Sequence, residues 1–100
     1  MARIVNSFTA TGASSKVLGT DAEMFIGGTF TATVALEGAL PDPATGADVW
    51  VQLAVLTGPG AVRWAGAADR AFRIECTSYT SGTVIYDLNS TYNEDYLRTV

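Results

Sequence analysis

The chain predicts an all-β fold, and three observations lead there. Hydrophobic residues alternate with a period of two along most segments. Gly, Pro, Asn and Asp punctuate those segments at short intervals. No stretch of about eleven residues or more keeps a helical period. Short, punctuated strands of this kind predict a single antiparallel β-sandwich of roughly six to eight strands, Ig-like in its two packed sheets. A small closed β-barrel is the alternative.

The elements follow in chain order. RIVNSFTATG (residues 3–12) and SKVLGT (15–20) read as short strands separated by a Gly-Ala-Ser-Ser turn. EMFIGG (23–28) is apolar and ends on a Gly pair, the mark of a bulge or sharp bend. In FTATVALE, Phe30, Ala32, Val34 and Leu36 share one face, with Thr31, Thr33, Ala35 and Glu37 on the other. EGALPDPATGAD (37–48) is the longest loop candidate. DVWVQLAVLT (48–57) puts Val49, Val51, Leu53 and Val55 on an inward face and Trp50, Gln52 and Ala54 outward. This strand is apolar on both faces, so its second face is expected to meet another chain or a covering loop.

Residues 57–70 contain a Gly-Pro-Gly turn and one short strand around Val62 to Trp64. RAFRIECTS (70–78) then sets Phe72, Ile74 and Cys76 inward and Arg73 and Glu75 outward. Tyr79, Thr80, Ser81 and Gly82 supply turn chemistry, with Gly82 free to take a positive φ. TVIYDLN (83–89) returns with Val84, Tyr86 and Leu88 on one face, so residues 71–89 read as a β-hairpin. The tail, residues 90–100, has no deciding pattern. The organisation expected is one domain over residues 1–100, with arms at residues 1–15 and 92–100.

Composition narrows the function. At 48% hydrophobic, 100 residues hold enough apolar surface for a real core. A net charge of −4, with one Lys and five scattered Arg, argues against a nucleic-acid partner. The absence of His removes the commonest general base and metal ligand. A single Cys cannot close an internal disulfide. No apolar run approaches the ~18 residues of a membrane helix, and no leader pattern opens the chain. The expectation is a soluble chain made in a reducing cytoplasm. The charged fraction of 16% is low and leaves a surface of Thr, Ser and Ala, such as proteins packed against neighbours carry.

Each chemical candidate has a plainer counterpart. Cys76 beside so many hydroxyls suggests a nucleophile, but without a His to make thiolate it reads as a small core residue. Ser14, Ser15 and Lys16 suggest a Ser-Lys dyad, but the usual pair has two residues between its members. Asp42, Thr45 and Asp48 around Gly46 suggest calcium ligands, yet only fragments of that pattern are present and both Asp suit turn caps. Glu94 and Asp95 are adjacent, which points them to opposite faces of a strand. Asn89-Ser90-Thr91 matches a glycosylation triplet without any secretion signal. Gly27-Gly28 and Gly58-Pro59-Gly60 lack the Lys and helix of a phosphate cradle. No catalytic set, metal site or cofactor site emerges, and the chain is not expected to be an enzyme. The aromatics remain: Trp50, Trp64, Tyr79, Tyr92 and Tyr96 suit sugar stacking or an interface, with Trp50, Tyr92 and Tyr96 the candidate interface residues and core packing an equal fit for Trp64.

FRIECTSYTSGTVIYDLNS (residues 72–90) resembles the C-terminal hairpin of small β-sandwich virion proteins of tailed bacteriophages. GTFTATVALEGA and VWVQLAV (within residues 28–55) resemble their preceding hairpin. The likeness covers roughly two thirds of the chain. It departs from the family at residues 39–48, where a longer, Pro-containing loop replaces a short Asp-Gly-Gly turn. The resemblance implies a virion structural protein that decorates the capsid surface. Its partners would be the major capsid protein or other virion proteins, and copies of itself in small oligomers such as trimers. The runner-up is a tail, collar or neck component. From a different class comes a carbohydrate- or host-surface-binding module using Trp50, Tyr79 or Tyr92 with the Asp42/Asp48 loop.

Overall fold

The computed structural model describes residues 2–91, with side chains from residue 3 to residue 90. Seven strands form one antiparallel sheet. They are β1 (Ala2–Phe8), β2 (Gly12–Ala13), β3 (Val17–Gly27), β4 (Phe30–Pro41), β5 (Asp48–Leu56), β6 (Gly60–Gly82) and β7 (Val84–Thr91). Their order across the sheet is β1-β7-β3-β6-β4-β5, with β2 paired to β6. The all-β fold expected from period-two alternation is the one that forms.

A sandwich-like body arises because β6 is 23 residues long and serves two neighbours. Its first half pairs with β3, from Gly60 opposite Ile26 to Phe72 opposite Val17. Its second half pairs with β4, from Phe72 opposite Gly38 to Gly82 opposite Phe30. Met24, Ile26, Val84 and Leu88 from one half of the sheet join Val34, Leu36, Ile74 and Cys76 from the other in a single buried cluster. Side chains on one face of one sheet bury each other only if that sheet folds over. The two layers are therefore halves of a continuous sheet, joined along β6, rather than two separate Ig-like sheets. The sheet does not close into a barrel: β1 and β5 are its two ends.

Four expectations for the segments change. Residues 71–89 do not form a hairpin, because β7 pairs with β1 and β3 while β6 continues beside β4. The Gly82 turn is an arch that carries the chain from one layer to the other. Gly82 has φ +90°, and a Cβ there would strike the Thr29 carbonyl. Gly28, at φ +95°, makes the matching arch from β3 to β4, and the Thr83 N–H donates to the Thr29 carbonyl at 3.0 Å to tie the two arches together. Only glycine holds such a φ without a side-chain clash.

The short strand expected near Trp64 is instead part of β6, because residues 66–69 bulge out opposite Thr20 and the ladder resumes beyond them. The segments 15–20 and 23–28 likewise merge into the 11-residue β3. Of residues 1–15, expected as an arm, Ala2–Phe8 and Gly12–Ala13 lie in the sheet as β1 and β2. The C-terminal arm at residues 92–100 lies outside the described residues.

Candidate functional site

β5 is where the sequence pattern misled most. Val49, Val51 and Val55, expected inward, are exposed at 45%, 46% and 48%. Leu53 packs against the core as expected, and Ala54 and Leu56 join it there. The cause is an extra residue: Leu36 pairs with Ala54 and Glu37 pairs with Gln52, so Leu53 has no partner of its own. That bulge turns Val55 outward and Ala54 and Leu56 inward, while Val49 and Val51, ahead of it, keep the side of Gly38 and Leu40 and are exposed there. As an end strand, β5 also has a layer on one side only. Leu40, opposite Val49 on β4, is exposed at 54% and extends the apolar row.

Trp50 stands on the outer face opposite Ala39. Ala39 is short, so the indole reaches across it to β6 and lies 4.2 Å from the Arg73 guanidinium. Arg73 pairs directly with Glu37 across the sheet, donating from Nε to Oε1 at 2.7 Å. Its Nη2 reaches Glu75 at 3.5 Å. Beneath this lid Glu37 is only 4% exposed, although it lies on the face expected to meet solvent. Burial pushes its carboxyl above the ordinary glutamate range, the Arg73 hydrogen bond opposes that, and the neighbouring Glu75 adds to the rise. Trp50 is therefore half-buried, with one ring face occupied by a cation.

The other candidates resolve into structural roles. Cys76 is buried, its Sγ donates to the Ser78 carbonyl at 3.4 Å, and burial raises its pKa, which holds it as a thiol. Ser14 and Lys16 are not brought together. The Ser14 hydroxyl accepts from the Ile74 N–H at 2.9 Å, whereas the Lys16 ammonium pairs with Asp48 at 3.2 Å. Asp42 caps its own loop, accepting from the Ala44 N–H at 2.8 Å, and Thr45 accepts from the Ala47 N–H at 3.3 Å. Among the described residues no group of three or more Cys, Asp and Glu is placed to hold a metal ion.

Trp64 tilts against Phe72 with centroids 5.6 Å apart. The Tyr79 hydroxyl donates to the Gly82 carbonyl at 2.6 Å. Asn89 donates to Asp87 at 2.9 Å. Tyr92, Tyr96, Glu94 and Asp95 lie outside the described residues.

Two further surfaces are visible. Lys16, Leu18, Leu40, Asp48, Asp69 and Arg70 line an open groove of about 420 Å³ beside the residue 66–69 bulge. On the opposite half, Val5, Phe25 and Ile85 are exposed on the outer face of β1, β3 and β7. The Glu37–Arg73 pair was not singled out by the sequence. Its one signal was an isolated charge set between Leu36 and Gly38 in an otherwise apolar strand.

Fold and surface together define an all-β, sandwich-like protein whose end strand β5 is apolar and uncovered among the described residues. No protein-family model matches the chain, and no curated protein or solved structure matches it.

Proposed function

We propose that this chain is a virion structural protein of a tailed bacteriophage, decorating or stabilising the capsid surface through protein–protein contacts. The contact role is carried by one observation: large aliphatic side chains lie uncovered along β5 and on the outer face of β1, β3 and β7. Apolar patches on a surface this poor in charge suit docking against another protein better than recognition of a charged ligand. The virion setting rests on the likeness of residues 72–90 to the phage proteins. In this reading the chain is not an enzyme, its partners are the major capsid protein or neighbouring virion proteins, and it acts in homo-oligomers on the particle. A tail, collar or neck position is the same role at another place on the particle.

The test is co-sedimentation of the purified chain with tailed-phage capsids stripped of accessory proteins, run beside a glycan array. Saturable capsid binding, with added density on the shell in particle images, supports the proposal. Glycan binding without capsid binding overturns it in favour of a host-surface module.

A further inference from the structure

The solvent side of β5 is a row of backbone N–H and C=O groups with no strand beside it among the described residues. Such a row accepts an extended chain and little else. End strands are ordinarily guarded by Lys, Pro or inward-pointing charge. β5 has none of these: its nine residues are DVWVQLAVL, and the one charge, Asp48, is already held by Lys16 at 3.2 Å.

We propose that β5 is a self-pairing edge, at which two copies of this chain join β5 to β5, antiparallel, about a two-fold axis at Trp50. The inference goes beyond the virion reading and does not rest on it. The register follows from the bulge. From Asp48 to Gln52 the strand runs in unbroken register with β4, and Leu53 interrupts it. Centring the axis on Trp50 keeps the new ladder within that regular stretch. Val49 then faces Val51 of the second copy, and Asp48 faces Gln52 of the second copy, a carboxylate against an amide donor. No charge meets its like. An axis at Gln52 would instead set the bulged Leu53 against Val51 and leave Asp48 opposite Leu56.

The Trp50 axis also makes a continuous apolar row from Leu40 through Val49 to Val51 of the second copy, covering three side chains that are about half exposed in one copy. β1, the other end strand, is a poorer partner. It carries Arg3, Asn6 and Ser7, and a β5-to-β1 contact would be heterologous and leave further ends open, whereas the β5 pair closes on itself.

Sedimentation velocity and native mass spectrometry of the purified full chain, over a concentration series, test this directly. The expected result is a monomer–dimer equilibrium whose Kd rises roughly tenfold or more in Val51→Lys, since each ammonium would then lie in the apolar row. Val5→Lys on the other end strand leaves that Kd unchanged. The register is read by cross-linking in a Cys76→Ala background. Trp50→Cys places two thiols directly opposite and forms an intermolecular disulfide on oxidation, while Gln52→Cys does not. A monomer at every concentration, a trimer, a dimer insensitive to Val51→Lys, or a cross-link at Gln52→Cys in place of Trp50→Cys each overturns the proposal. The cross-link decides the matter even if Val51→Lys fails to fold. Failure of capsid binding would leave this dimer intact, so the two readings fall separately.

Discussion

β1 and β5 terminate the same sheet, and they are secured in opposite ways. β1 pairs with β7 without interruption from Ala2 to Phe8. Its apolar anchor points inward, where Phe8 stacks on Tyr86 with centroids 4.6 Å apart. Its charge points outward, where Arg3 donates to both Asp87 oxygens, at 3.1 and 2.7 Å. β5 inverts this arrangement. Its associated charge, Glu37 with Arg73, is covered by Trp50, while Val49, Val51 and Val55 face water. Among the described residues both ends leave backbone groups without a neighbouring strand, and Val5 is exposed on β1, but β1 carries Arg3, Asn6 and Ser7 along it, whereas β5 carries a run of uncovered aliphatics. The contrast bears on function because it separates an end whose edge is anchored by Phe8 and the Arg3–Asp87 pair from one whose edge is lined by uncovered aliphatics.

The largest effect should come from the anchor of β1. Phe8→Ala removes a ring that is 8% exposed and leaves a void beside Tyr86, a loss of about 4 kcal/mol. Urea unfolding followed by circular dichroism measures it. Leu53→Ala on β5, where the side chain is only partly buried, should cost clearly less. Equal costs at the two positions would mean that β5 is anchored as firmly as β1 and would erase the contrast.

Next comes the covered pair beside β5. Arg73→Met keeps an aliphatic stem under Trp50 but strips Glu37 of its cation, at a cost of about 3 kcal/mol because a buried carboxylate is left unpaired. Adding Glu37→Leu should restore most of that loss, since two apolar groups leave nothing unsatisfied. Stabilities measured for both singles and the double give the coupling. Simple additivity would show that Arg73 acts through its packing alone.

How much of this the sequence carried depends on how local the cause was. Alternation placed Phe72, Ile74, Cys76, Val84, Tyr86 and Leu88 on the buried face, and all six are buried. Gly82 was read as a positive-φ position, and it is one. The pairing of the strands it joins was not legible, since a hairpin and an arch begin with the same turn residues and differ only in what lies across the body. On β5 only Val55 changes side, because a one-residue bulge inverts the phase after it and nothing in DVWVQLAVL marks Leu53 as the extra residue, whereas Val49 and Val51 keep the expected side and are exposed there. The Glu37–Arg73–Trp50 stack was hidden for the same kind of reason. Its members come from three strands and meet only because β4 lies between β5 and β6. Trp50, a contact candidate from its chemistry, sits on the end strand, but its indole turns from the open edge toward Arg73.

The smallest expected effect, and the sharpest test of the inversion, is in the pH dependence of stability. The Asp87 carboxyl is held below the ordinary aspartate range, first by its hydrogen bond from Arg3. The unfolded chain therefore binds that proton more readily, so the contribution of Asp87 is present above the ordinary aspartate range and is lost as pH falls through the lowered value. Glu37 is shifted the other way, first by burial. The folded protein holds its proton more tightly than the unfolded chain, so its contribution is present below the ordinary glutamate range and is lost as pH rises through the raised value. Melting temperature against pH should thus fall on its acid flank because of the β1 side and on its upper flank because of the β5 side. Asp87→Asn should flatten the acid flank alone, and Glu37→Gln the upper flank alone. If Glu37→Gln leaves the upper flank unchanged, then Arg73 holds Glu37 ionised throughout, and the covered pair behaves like the exposed one on β1.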